Sequence, residues 1–149
     1  MEGVYNMNCN SNTMPLIDNN SQSSCNNGCS PKDINVACKA IIIPSGQEIL
    51  GVKGEDNSAT RYFVIPKITE NGDDLSDKQF SIITLDDDGN KNIIAVDKPE
   101  ILENYIKLKL IIDKNITNVE GTLKLQIEAV SENYIWKTLP ASFTIANSL

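Results

Sequence analysis

The sequence of 149 residues contains no histidine, and aromatic residues make up only 5% of it. The lack of histidine excludes a Ser-His-Asp triad, a Cys-His pair and the common zinc sites that use imidazole ligands. Lys and Arg number 13 against 20 Asp and Glu, so the formal net charge is −7. A nucleic-acid-binding protein needs a basic surface that displaces counterions from phosphates. We therefore expect neither an enzyme nor a nucleic-acid partner.

Long apolar runs are also missing from the chain. No stretch approaches the roughly 18–20 apolar residues that span a bilayer, so we expect no membrane partner. Residues 1–14 have neither the basic start nor the apolar run of about 7–15 residues that a secretory signal needs. We therefore expect synthesis and assembly in a cytoplasm, where stable disulfides are uncommon.

The composition changes near residue 40. Residues 1–40 contain nine Asn and five Ser, together with all four cysteines of the chain. Such a stretch buries too little apolar surface to offset its ordering entropy by itself. We interpret residues 1–40 as an extended anchoring arm that orders against a partner, and residues 41–149 as the folded domain. The candidate attachment anchors in the arm are apolar: Met14, Leu16, Ile17, Ile34 and Val36.

The cysteines Cys9, Cys25, Cys29 and Cys38 allow three interpretations. Four thiolates can hold a structural zinc ion, which replaces a missing core. Only the pair Cys25 and Cys29 comes near the spacing of a zinc-ribbon knuckle, and it has one residue too many. Disulfides formed after release into an oxidising medium, and free thiols, are the alternatives. Apart from this zinc, we expect no cofactor and no metal.

From residue 40 onward, apolar and polar residues alternate with a period of two. Leu123, Leu125 and Ile127 alternate with polar residues, which predicts a strand with one buried face. A second such strand covers residues 105–112, and turns rich in Gly, Asn and Asp separate the candidates. The remaining predicted strands are residues 40–43, 48–53, 59–65, 79–85, 92–96, 134–138 and 142–146. This spacing predicts an all-β fold, a single antiparallel immunoglobulin-like β-sandwich with Trp136 in its core.

Two acidic turns and the single arginine are further candidates. Residues 86–90 cluster carboxylates as calcium sites do, but Lys91 stands where an EF-hand loop needs glycine. We interpret this segment, and the similar residues 70–74, as solvated turns. Arg61 allows two interpretations, which are a bidentate contact with a carboxylate across a subunit boundary and a pair with an acidic residue within the fold.

A family resemblance is visible in six parts of the sequence, which are residues 51–56, 61–66, 71–76, 111–117, 121 and 136–141. These turn and core segments resemble an Ig-like domain of bacteriophage structural proteins. The family is known from phages of Gram-positive hosts, in the N-terminal domain of baseplate upper proteins and in head and tail accessory proteins. The resemblance covers about residues 46–146. It implies a scaffolding or attachment module.

The resemblance implies a virion structural protein that is assembled in the cytoplasm of a bacterial host. An arm followed by one sandwich suits a capsid decoration protein, with the arm bound to the phage major capsid protein or to another virion protein. Extended arms provide a large contact area at an ordering cost, and many copies add avidity. A homo-oligomer is a further option. The alternatives are a tail or baseplate accessory protein and, more distantly, a carbohydrate-binding β-sandwich module.

Overall fold

Alternating apolar and polar residues form the strands of an all-β protein. The structure is a computed structural model, and it describes residues 32–149. Those residues contain eleven strands and no helix. The strands are β1 (Ile34–Ala37), β2 (Ala40–Ile42), β3 (Ile49–Val52), β4 (Ala59–Pro66), β5 (Gln79–Leu85), β6 (Lys91–Val96), β7 (Glu100–Ile101), β8 (Tyr105–Ile112), β9 (Gly121–Ser131), β10 (Tyr134–Lys137) and β11 (Ala141–Ala146).

The strands form two sheets. Sheet A has the order β2-β1-β4-β8-β7, and sheet B has the order β3-β11-β9-β5-β6, with β10 beside β9. Most neighbours are antiparallel, but β1 is parallel to β4 and β3 is parallel to β11. The sheets are therefore mixed, and the prediction of a purely antiparallel arrangement is wrong at these two pairs. A period-two pattern does not report strand direction, because side chains alternate in both kinds of ladder.

Buried side chains from both sheets form one apolar core. Phe63 of β4 and Phe143 of β11 meet across it edge to face, with their ring centroids 6.3 Å apart. Trp136 of β10 is also buried, which confirms its predicted place. β8 and β9 supply the largest share of the remaining core residues: Ile106, Leu108, Leu110, Ile112, Leu123, Leu125, Ile127 and Ala129.

Strand β1 belongs to this core. Ile34 and Val36 are 0% and 4% exposed, and Ile34 lies opposite Phe63 in the parallel pair of β1 with β4. The predicted boundary between residues 40 and 41 therefore falls inside the β1–β2 hairpin. Ile34 and Val36 are corrected from attachment anchors to core residues. Their apolar side chains contact the protein's own interior and leave no surface for a partner.

The start of β9 requires glycine. Gly121 has a φ of 120°, and a Cβ atom there would collide with the carboxylate of Asp87. That carboxylate is held in place because its Oδ2 accepts a hydrogen bond from the backbone N–H of Thr122, at 3.0 Å. We expect Gly121→Ala to lower the free energy of unfolding by about 2–3 kcal/mol, measured by chemical denaturation.

Gly54→Ala is the matched control for that variant. Gly54 has a φ of 95° and open space around the added carbon. Gly54→Ala therefore lowers the free energy of unfolding only through the cost of placing alanine at a positive φ, about 1 kcal/mol. Equal effects of the two substitutions would contradict the steric role of Asp87.

Candidate functional site

A buried ion pair marks the outward face of sheet A beside β1. Asp33, directly before β1, pairs with Lys107 of β8, with 3.3 Å between Oδ2 and Nζ. The two side chains are only 4% and 13% exposed. Lys107 Nζ also lies 4.7 Å from the centroid of the Tyr62 ring, which is a cation–π distance. A charge this buried requires a partner, and here the pair ties the start of β1 to β8.

Val64 and Cys38 lie beside this ion pair. We call the region formed by Asp33, Tyr62, Val64, Lys107 and the nearby Cys38 the N-terminal patch. Val64 faces outward, because its neighbours in β4 belong to the core, yet it is only 1% exposed. Cys38, in the turn between β1 and β2, is disulfide-bonded. The patch is where the chain enters the folded domain, so it is the candidate attachment region of the described residues.

The other predicted attachment and cysteine residues lie outside residues 32–149. They are Met14, Leu16, Ile17, Cys9, Cys25 and Cys29. Their roles as anchors, disulfide partners or zinc ligands stay predictions.

Residues 86–90 form the predicted turn between β5 and β6. Asp86 Oδ1 accepts hydrogen bonds from the backbone N–H groups of Asp88 and Asn90, at 3.0 and 2.9 Å. Its Oδ2 accepts a third, from Asn90 Nδ2 at 3.0 Å. Burial raises the pKa of Asp86, but the hydrogen bonds from Asn90, Asp88 and Gly89 outweigh it, so the pKa lies below its usual value. The carboxylate therefore organises the turn.

This pKa shift makes the turn sensitive to acid. A carboxylate with a lowered folded-state pKa stabilises the fold above its unfolded pKa, about 3.9, and the contribution disappears as pH falls through the folded value. We expect Asp86→Asn to destabilise the protein at pH 6, and we expect the difference from the native chain to shrink below about pH 4. Urea unfolding across this pH range measures it, with Asp88→Asn as the control in the same turn. A difference that stays constant with pH would contradict this role.

The second acidic segment is also a turn. Thr69 Oγ1 accepts hydrogen bonds from the backbone N–H groups of Asn71 and Asp73, at 3.2 and 3.0 Å. Asp73 Oδ2 in turn accepts one from the hydroxyl of Tyr134, at 3.1 Å. Within residues 32–149, no three acidic or cysteine side chains gather as metal ligands. The segment holds β10 against the loop before β5.

Arg61 of β4 joins the two sheets. Its Nη1 donates to Gln47 Oε1 at 2.7 Å, and its Nη2 donates to the carbonyl oxygens of Gln47 and Ile49, both at 2.9 Å. Burial lowers the pKa of the guanidinium. The prediction of an acidic partner within the fold is wrong, because the partners of Arg61 are an amide and two carbonyls. No charge pattern in a sequence signals such partners. The contact with a carboxylate across a subunit boundary stays a prediction.

The outward face of sheet B carries a groove that the sequence did not predict. It has a volume of about 230 Å³, and its lining includes Ile83, Leu85, Lys91, Lys124 and Pro140. The lining of the groove combines apolar side chains with two lysines. Its residues come from β5, β6, β9 and the β10–β11 connection, so only the folded sheet assembles it.

Comparison of the chain with protein-family models, curated proteins and solved structures gave no match. The resemblance to phage Ig-like domains therefore stays a prediction that rests on the segments named above. Residues 32–149 contain no helix that is long and apolar enough to cross a bilayer.

Proposed function

We propose that this chain is a structural accessory protein of a bacteriophage virion, specifically a capsid decoration protein. The observation that carries the proposal is that polar side chains of this protein form hydrogen bonds that organise its own turns and sheets. Asp86 and Thr69 organise turns, and Arg61 joins the two sheets. Polar groups satisfied in this way stabilise a rigid display domain. The resemblance to phage Ig-like domains supports the virion assignment.

The immunoglobulin-like class is part of this proposal. Two facing sheets of short strands, a shared core and the buried Trp136 support it. The parallel pairs, β1 with β4 and β3 with β11, are additions to the antiparallel pattern of that class. Both bring a strand from the first part of the domain against a strand from later in the chain. Within the described residues, no crossover helix connects the two strands of either pair.

Attachment through residues before β1 is the second part of the proposal. Because Ile34 and Val36 lie in the core, the attachment segment is residues 1–31, with Met14, Leu16 and Ile17 as its apolar anchors. Extended segments of this kind gain contact area per residue at an ordering cost, and repeated copies add avidity. The N-terminal patch lies where this segment joins the domain.

Six of the seven described aromatic residues, all except the half-buried Tyr105, do not favour the carbohydrate-binding alternative. Phe63, Phe80, Phe143 and Trp136 are buried in the core. Tyr62 and Tyr134 lie beneath the ammonium groups of lysines, at 4.7 and 4.9 Å. A sugar platform needs an exposed aromatic face, and these faces are already in contact.

A binding experiment with purified particles tests the proposal. Three proteins are added to particles that lack the protein: the full chain, the chain from residue 32 onward, and full-length Cys38→Ser. Quantitative mass spectrometry measures bound copies. We expect the full chain and Cys38→Ser to bind at on the order of hundreds of copies, as a repeated lattice provides. We expect the shortened chain to remain folded and to bind at background level.

Each other result has a definite meaning. Binding of the shortened chain as well as the full chain overturns attachment through residues 1–31. Full-chain binding at only tens of copies overturns the capsid position and supports a tail or baseplate accessory protein. No binding by the full chain overturns the virion proposal. The Cys38→Ser variant keeps residues 1–31 but lacks the disulfide, so it distinguishes the effect of losing the segment from the effect of losing the disulfide.

A further inference from the structure

Among the strands of residues 32–149, β6 is the longest that ends a sheet. The described strands that have only one neighbour are β2, β7, β3, β10 and β6, with three, two, four, four and six residues. Proteins protect such edges by making them short or by placing charges and prolines on them. β6 begins with one charge, Lys91, and its other residues, 92–96, are Asn, Ile, Ile, Ala and Val, without a charge or a proline. Ile93 is 68% exposed on the outward face.

The hydrogen bonding of the β5–β6 hairpin decides which backbone groups face this edge. Asp86 N–H donates to the carbonyl of Asn90 at 3.1 Å, which closes the hairpin. Hydrogen-bonded and non-hydrogen-bonded pairs alternate along an antiparallel ladder. Counting from this pair, Lys91, Ile93 and Ala95 direct their N–H and C=O groups away from β5. No other strand of the described part of the chain pairs with this edge, which therefore offers a regular row of donors and acceptors that a second strand can bind.

We propose that β6 pairs antiparallel with β6 of a second copy of this chain, across a two-fold axis at Ile94. This register places Ile93 opposite the partner's Ala95, with both backbone groups on the open edge. It also places Lys91 opposite the partner's Asp97 at each end of the strand pair. Opposite charges facing each other across two strands stabilise the pair, and like charges destabilise it.

The same register accounts for the exposed isoleucine. In the paired strands, Ile93 of each chain is the diagonal neighbour of the partner's Ile93 on the outward face, within reach for contact. A two-fold interface is self-complementary, since each patch meets its own copy. The two copies of sheet B then form one continuous sheet. This inference is independent of the virion proposal, because it concerns the protein alone in solution.

Sedimentation velocity of the full chain over a concentration series is the first test. We expect a concentration-dependent dimer of twice the 16.4 kDa chain mass. Ala95→Pro removes an outward N–H and leaves the ladder to β5 in place, so we expect it to abolish the dimer. Ile135→Lys is the control, because Ile135 is 65% exposed on the same face but lies outside β6. We expect that variant to dimerise like the native chain.

Charge exchange tests the register. We expect Lys91→Asp alone and Asp97→Lys alone to raise the midpoint concentration of dimerisation roughly tenfold, because each places like charges face to face. An equimolar mixture of the two variants forms a heterodimer in which every Lys meets an Asp, so we expect its midpoint to return to the native value.

Several outcomes would overturn the proposal. They are a native chain that stays monomeric at every concentration, an Ala95→Pro variant that still dimerises, and a charge-exchange mixture that associates no better than its components. Circular dichroism reports whether Ala95→Pro is folded. If it is not, Ile93→Lys takes its place, since a lysine on the edge blocks strand pairing without altering the backbone.

Discussion

Replacing Phe143 with alanine is expected to lower the free energy of unfolding by about 3–5 kcal/mol. Phe143 is 1% exposed and meets Phe63 edge to face between the two sheets. The substitution removes the transfer free energy of the ring, leaves a cavity and ends the aromatic contact. Domains of this size are stable by only about 5–15 kcal/mol, so we expect a large loss of urea resistance. The fluorescence of Trp136, the only tryptophan, reports unfolding directly.

Leu139→Ala is the control for the core variant. Leu139 is 59% exposed, and we expect a change within about 0.5 kcal/mol. If Phe143→Ala has an equally small effect, the two sheets do not pack through this contact.

Replacing Ile34 with alanine is expected to cost about 2–5 kcal/mol. Ile34 is fully buried and pairs with β4 ahead of the predicted domain boundary. Ile135→Ala, an exposed isoleucine on sheet B, is the matched control, and we expect it to change stability by less than about 0.5 kcal/mol. Urea unfolding measures both variants. An unaffected Ile34→Ala would return β1 to the arm and restore the boundary after residue 40.

The strands with long alternating patterns were predictable from the sequence. β8 and β9 show the period of two over eight and eleven residues. β8 occupies the segment that its pattern predicted, and β9 extends beyond the predicted residues 122–129 at both ends. The turn at residues 86–90 was predictable for a similar local reason, because Gly89 supplies the positive φ, 86°, that the hairpin loop needs. Where the determinants lie within a few residues of each other, the pattern is sufficient.

The remaining features depend on residues far apart in the chain. β1 has only four residues, and its place becomes evident only in the parallel ladder with β4. β7 has two residues and exists through its pairing with β8. Asp33 and Lys107 are 74 positions apart, and Arg61 binds carbonyl groups that every residue possesses. Patterns along the chain carry no information about such pairings, so the N-terminal patch could not be predicted.

Cryo-electron microscopy of particles from a lysate that contains this protein tests the central claim most directly. The virion proposal predicts repeated density over the capsid lattice that fits residues 32–149, with additional density leading from Asp33 and the N-terminal patch toward the shell. Density confined to the tail or baseplate would contradict the capsid position. Particles with no density for this domain would contradict the claim that the chain is a structural protein of the virion.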